Sequence, residues 1–338
     1  MLPTRPLGRT QIPVTCLGFG GAPLGDLYAR LDEAEALATI RAAHAAGTNL
    51  FDTSPHYGNG LSELRFGAVL RALPRDAYVL STKVGRHMNP RAAGGTAGGP
   101  GFAGGVPHAS VVDYSYDGTL RSFEQSLLRL GLDRIDILLI HDVDVWTHGR
   151  EGVDARFREA MEGAYRALDR LRGEGAIRAI GVGLNEAEMC VRFAQAGDFD
   201  CALLAGRYSL LQQDALDAFL PLAAQKGIGV ILGGVYNSGI LATGARPGAR
   251  FNYREAPPEI MAQVARIERV CDAHAVPLAV AALHFALAGP AIASVILGGV
   301  TPAEVERNAA ALRHKVPQGL WSDLKSEGLL PESVPVPA

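Results

Sequence analysis

The chain lacks most of what marks several large protein classes. It has only four cysteines in 338 residues, Cys16, Cys190, Cys201 and Cys271. No two stand in C-x-x-C spacing, which excludes zinc-ribbon and thioredoxin signatures. Isolated cysteines with apolar neighbours read as small buried hydrophobes of a reducing compartment. Net charge is only −3, so a strongly basic nucleic-acid binder is excluded as a class. No stretch approaches the ~18–20 consecutive apolar residues of a membrane-spanning helix. The opening Met1-Leu2-Pro3-Thr4-Arg5-Pro6 has proline and charge where a secretory leader needs an apolar run. The expected location is the cytoplasm, with no membrane and no nucleic-acid partner. His141, Asp142, Asp144 and His148 match no common metal spacing, so no metal is expected.

What is present is the composition of an ordinary globular enzyme, 48% hydrophobic and 20% charged. A chain this long buries a core without disulfide or metal staples. Short apolar runs rich in Val, Ile and Leu alternate with longer segments of helical period. The opening reads as a hairpin, Pro6-Leu7-Gly8 against Ile12-Pro13-Val14. Strands are then expected at 15–20, 49–51, 78–83, 135–141, 177–183, 201–204, 229–232 and 294–297. Helices are expected at 33–46, 61–72, 115–130, 157–174, 186–196, 214–226, 258–288 (broken at Pro277) and 302–314. Strands each followed by a helix point to a parallel α/β sheet closed on itself: a (β/α)8 TIM barrel with an N-terminal β-hairpin, read as one domain over 1–338. The alternative is an open doubly wound sheet. It usually carries a G-x-G-x-x-G turn after its first strand, whereas here Gly18-Phe19-Gly20-Gly21-Ala22-Pro23 puts proline at the third glycine.

One segment escapes the alternation. Residues 85–114 show no period and centre on a glycine-rich stretch, 94–105. In a barrel this excursion leaves the third strand on the catalytic face, where long loops are either lids or solvated detours.

Barrel strands deliver reactive side chains at their C-terminal ends. The second ends in Asp52-Thr53-Ser54-Pro55-His56-Tyr57, the third in Lys83, the fourth in His141-Asp142. A phenol titrates near ~10, and a neighbouring ammonium lowers that value. Asp52 would anchor Lys83, Lys83 would acidify Tyr57, and a neutral His141 would orient the reacting oxygen. Such a set moves a proton on a carbonyl/alcohol pair. With no nucleophile or metal set, the partner chemistry is hydride transfer. Taken alone, Asp52 and Lys83 also read as a structural ion pair.

With these residues in that order, the chain resembles the aldo-keto reductases. The likeness runs from the hairpin to about residue 314. It sharpens around Asp113-Tyr114-Ser115-Tyr116-Asp117-Gly118, Arg129-Leu130-Gly131-Leu132-Asp133-Arg134 and Gly181-Val182-Gly183-Leu184-Asn185. These resemble the branch that oxidises the C1 hydroxyl of an aldose to a lactone, D-threo-aldose (L-fucose) and L-galactose dehydrogenases among them. Pyridoxal 4-dehydrogenase also falls in this branch and is the alternative activity. A nicotinamide-sensing barrel without turnover is a further alternative.

The resemblance implies a nicotinamide cofactor. It places Gly20, Gly21, Asp52 and Asn185 on it. Gly234, Val235, Tyr236 and Ser238 would surround the diphosphate, and Asn308 would contact adenine. Where NADP-using relatives carry Lys, Ser and Arg, this chain has Gly298, Gly299 and Glu304. A 2′-phosphate would be repelled there, so NAD is expected rather than NADP. His56, Arg86 and Trp146 are placed on the pocket of a small-molecule sugar, with a packing role as the alternative.

Overall fold

A computed structural model describes residues 2–90 and 101–337. The eight apolar runs form a closed parallel barrel in sequential order. Its strands are β1 (Leu17–Gly20), β2 (Leu50–Asp52), β3 (Val79–Val84) and β4 (Ile137–His141). They continue with β5 (Ala179–Leu184), β6 (Cys201–Ala205), β7 (Gly229–Gly233) and β8 (Ile292–Leu297). β8 closes on β1 through Val295 opposite Leu17.

Alternation along each strand sorts the side chains. Leu50, Val79, Ile137, Leu139, Cys201, Leu203, Ile231 and Ile296 pack together inside the barrel. Leu7, Ile12 and Val14 of the hairpin join that cluster and plug its bottom. Phe51, Leu80, Leu138, Ile140 and Ile180 point outward to the helices. Each fully buried aliphatic or aromatic side chain contributes about 1.5–3 kcal/mol. The period of two then fixes what stands one layer above the plug. Leu50 is followed inward by Asp52, Val79 by Ser81 and Lys83, and Ile137 by Leu139 and His141. The core pattern itself lifts Asp52, Lys83 and His141 to the barrel mouth.

Side-chain caps open three of the helices. Asp32 accepts from Glu35 N at 3.0 Å, Ser115 from Gly118 N at 3.1 Å and Thr301 from Glu304 N at 3.3 Å.

Several expectations need correction. The hairpin arms are Thr4–Pro6 and Pro13–Thr15, the first two residues and the second one residue further out than expected, because Leu7–Ile12 forms the turn. The helix expected at 157 starts at Val145 and runs through a π turn, Ala160–Ala164, into Tyr165–Gly173. Only Val153 of its first part is buried, and Gly149 has φ +69°, so no apolar period announces it. A C-terminal helix, Gln318–Ser326, buries Leu320, Trp321 and Leu324. The excursion after β3 is partly regular: Arg86–Asn89 pairs antiparallel with Ala109–Val112. Most of the glycine stretch, 94–100, lies outside the described residues. Among the described residues no single helix is long and apolar enough to cross a membrane.

Candidate active site

Asp52 and Lys83 meet at the barrel mouth. Lys83 Nζ donates to Asp52 Oδ2 at 2.7 Å and to the Thr53 carbonyl at 2.7 Å. Each side chain is 1% exposed. Burial pushes the Asp52 carboxyl up, and Lys83 pulls it back. The turn after β2 bends through Gly58 and Gly60, at φ +64° and +99°, and sets Tyr57 over the pair. Lys83 Nζ lies 5.0 Å from the Tyr57 ring centroid. His141 stands edge-on to the same ring, centroids 6.0 Å apart. Three strand ends thus bring all four residues together.

The expected electrostatics fail in one respect. Lys83 spends its hydrogen bonds on Asp52 and Thr53, so its charge is largely compensated. Burial pushes the Tyr57 phenol well above its ordinary value, Asp52 and Asp142 add to that, and Arg86 opposes it. The phenol is held protonated, not made acidic. His141 behaves as expected: burial, Lys83, Arg86 and His56 keep it neutral, well below the ordinary histidine range.

Two cavities share Tyr57 as a wall. The wider one, about 720 Å³, also has Lys83, His141, Asp142, His56, Arg86 and Trp146 on its lining. All three residues expected at a substrate pocket line this cavity. Arg86 is buried and pairs with Asp142 at 2.8 Å. Trp146 is half exposed. Burial and Arg86 push His56 down to about 4.

The second cavity, about 360 Å³, is a groove over the ends of β1, β2, β7 and β8. Gly20, Gly21, Asp52 and Asn185 line it on one side. Gly234, Val235, Tyr236 and Ser238 follow, then Gly298, Gly299 and Glu304. Asn308 is not among them. It sits a turn further along its helix, facing Ala43 and Ala46 across a gap of about 10 Å³.

The mouth has aromatic walls that the sequence reading missed. Tyr28 and Tyr253 border both cavities. Arg250 stacks on the Tyr28 ring at 4.9 Å, and Tyr253 N donates to Ser238 Oγ at 2.9 Å. Phe102 bridges back to Leu27 and packs against His56 and Tyr57, centroids 5.5 and 6.2 Å away. None of the three lies on a periodic element, so only their aromatic character amid loop residues could have flagged them.

The description of the aldo/keto reductase family matches residues 16–326. The chain belongs to that family. It is 41% identical over 334 residues to pyridoxal 4-dehydrogenase of Microbacterium luteolum, covering 96% of this chain and 97% of that one. It is 37% identical over 324 residues to D-threo-aldose 1-dehydrogenase of a Pseudomonas species, covering 95% and 96%. L-galactose dehydrogenase of Arabidopsis thaliana is 31% identical over 328 residues, covering 96% and 92%. In fold, the holo form of an aldo-keto reductase from Bacillus halodurans superposes with a TM-score of 0.76 at 24% identity, covering 99% of this chain and 98% of that one.

Aldo-keto reductases use a nicotinamide cofactor, and the groove can be tested for fit. A Cβ built on Gly20, Gly233 or Gly299 would meet nothing nearer than 3.6, 3.4 and 3.4 Å. None of the three has positive φ. Neither packing nor backbone conformation demands glycine there. What glycine achieves at these positions is an unobstructed groove floor, as a long flat ligand requires. The groove fits the group.

Proposed function

We propose that this aldo-keto reductase oxidises the C1 hydroxyl of a cyclic hemiacetal to a lactone, with NAD as hydride acceptor. An aldose of the D-threo, L-fucose type is the first substrate. The observation that carries this reading is the position of Tyr57. It alone of the four mouth residues faces both the glycine-cleared groove and the polar-floored cavity, above a buried ion pair.

The bound nicotinamide supplies the hydride-accepting carbon. The chain's own residues do the rest. Tyr57, in its tyrosinate form, takes the proton from the hydroxyl, Lys83 and Asp52 fix the floor beneath its ring, and neutral His141 holds the reacting oxygen. Because the phenol is held protonated, oxidation quickens as pH rises toward its raised value, while carbonyl reduction is favoured near neutrality.

Two features support NAD. The charged side chains on the groove are Asp52, Arg207 and Glu304. Glu304 lies in the first turn of the helix after β8, where its carboxylate accepts from Val300 N at 2.8 Å. A 2′-phosphate beside it would meet like charge, whereas a ribose hydroxyl can donate to it.

Pyridoxal is the second reading. The aromatic walls of Tyr28, Phe102, Trp146 and Tyr253 suit a flat ring, and the pyridoxal 4-dehydrogenase relative supports it. Against this, Arg86 and Asp142 offer the donors and acceptors that a polyol uses. A panel of aldoses and pyridoxal, each with NAD and NADP, separates them. Tyr57→Phe is expected to cut turnover on the true substrate by at least ~100-fold with NAD affinity nearly unchanged. Retention of most of the rate would show that another group moves the proton. Binding of NAD without turnover of any substrate would favour a sensing role.

A further inference from the structure

We propose that Arg86 is a positioning residue. It holds His141 in a single neutral tautomer, with Nδ1 a compulsory acceptor and the Nε2 proton presented to the substrate cavity. This rests on the role given to His141 above and adds what imposes it.

The argument begins at Nδ1. Arg86 Nη1 lies 3.4 Å from it and Ser54 Oγ 3.2 Å. A guanidinium can only donate. Nδ1 must therefore accept, and in a neutral ring the proton then resides on Nε2. Ser54 agrees with this assignment: its oxygen already accepts from His56 N at 3.0 Å, leaving its hydrogen free for Nδ1. Nε2 lies 3.4 Å from Asp142 Oδ1, so its proton faces an acceptor until substrate arrives.

Arg86 is not free to drift. Its Nη1 also donates to Asp142 Oδ2 at 2.8 Å, and its own carbonyl takes Ser122 Oγ–H at 2.8 Å. Asp142 is fixed in turn. Its backbone is left-handed, φ +55°, its N–H donates to Gly183 O at 3.0 Å, and Asn185 Nδ2 reaches Oδ1 at 3.3 Å. One rigid chain of contacts thus runs from Gly183 through Asp142 and Arg86 to Nδ1.

The same arrangement forbids imidazolium, whose Nδ1–H would point at the guanidinium. The groups around His141 come from every neighbouring element. Lys83 and Arg86 come from β3 and its continuation, His56 and Tyr57 from the turn after β2, and Asp142 from the next position. Tyr114 donates to the His141 carbonyl at 2.8 Å and contacts His148. Among these, Asp142 alone would favour a charged ring, and Arg86 neutralises it.

The test uses the full chain labelled with isotopic histidine, His141 being assigned by loss of its signal in His141→Gln. Nitrogen shifts distinguish the two tautomers and report titration without any turnover. Wild type is expected to show only the Nε2–H form, with no His141 titration over about pH 5–9. In Arg86→Met, Asp142 is left unopposed, and the His141 titration should move upward into the window where wild type shows none. The kcat profile should gain an acid limb of at least ~10-fold, because a second positive charge burdens a carbon that is giving up hydride. Arg86→Lys, which keeps the charge, should remove this added limb and restore the wild-type profile. If Arg86→Met fails to fold, Arg86→Met/Asp142→Asn removes both charges and decides by tautomer: a mixture upholds the proposal, a pure Nε2–H signal overturns it. A rise in KM alone in Arg86→Met, with tautomer and pH profile unchanged, would reduce Arg86 to a substrate contact. Correct tautomer shifts without turnover of any substrate would overturn the dehydrogenase reading and leave this one standing.

Discussion

The buried pair of Asp52 and Lys83 offers the sharpest quantitative test. Removing one partner, in Asp52→Asn or Lys83→Met, leaves the other charge in a site where each side chain is 1% exposed. Breaking such a pair costs about 3–5 kcal/mol. Removing both leaves neither of these two charges buried. What then remains is the Thr53 carbonyl, which loses its donor at a cost of about 1–3 kcal/mol. The single losses thus sum to about 6–10 kcal/mol, against about 1–3 for the double variant, a coupling of at least ~3. For a chain of 338 residues the entropy of unfolding is about 0.7 kcal/mol per kelvin, so each single variant should melt about 4–7 °C lower and the double only about 1–4 °C lower. Calorimetry reads this directly, and initial rates on the same samples should show all three variants inactive. A double variant as unstable as the two singles combined would refute the argument that the charges compensate one another. A double variant that kept its activity would make the pair merely structural.

Three further predictions concern the groove and the histidines. Gly233→Val should fold normally, since its Cβ would sit 3.4 Å from Leu203, yet weaken nicotinamide binding at least ~10-fold by fluorescence titration; unchanged binding would place the cofactor elsewhere. Glu304→Gln should narrow the preference for NAD over NADP by about tenfold and Glu304→Lys by about a hundredfold, read as ratios of kcat/KM; no change in the ratio would detach Glu304 from cofactor choice. His56, pushed down to about 4, and His141, lower than normal, are neutral when folded, while unfolded histidines protonate near ~6.5. Stability should be full above that value and decline as pH falls below it. Urea midpoints at pH values on either side would show this, and a midpoint that stayed level or rose on acidification would contradict the assigned shifts.

Much of the site was legible because one rule carries it. Alternation places Asp52 two residues beyond Leu50, Lys83 four beyond Val79 and His141 four beyond Ile137, so apolar runs with polar last members announce a barrel floor and what stands upon it. The groove residues were named only through the family resemblance. Asn308, named the same way, stands off the groove lining, one helix turn past the barrel rim. The helix beginning at Val145 escaped notice because almost none of its first part is buried and a glycine interrupts it.

The linear order of residues determined which side chains rise to the mouth, through the two-residue period of buried strands. It did not determine how those side chains behave. The upward shift of Tyr57, the grip of Arg86 on Asp142 and His141, and the aromatic walls of Tyr28, Phe102 and Tyr253 were decided by the folded chain. Charge fields and hydration depend on distances between segments far apart in sequence, and loops take their course from contacts that no local pattern encodes.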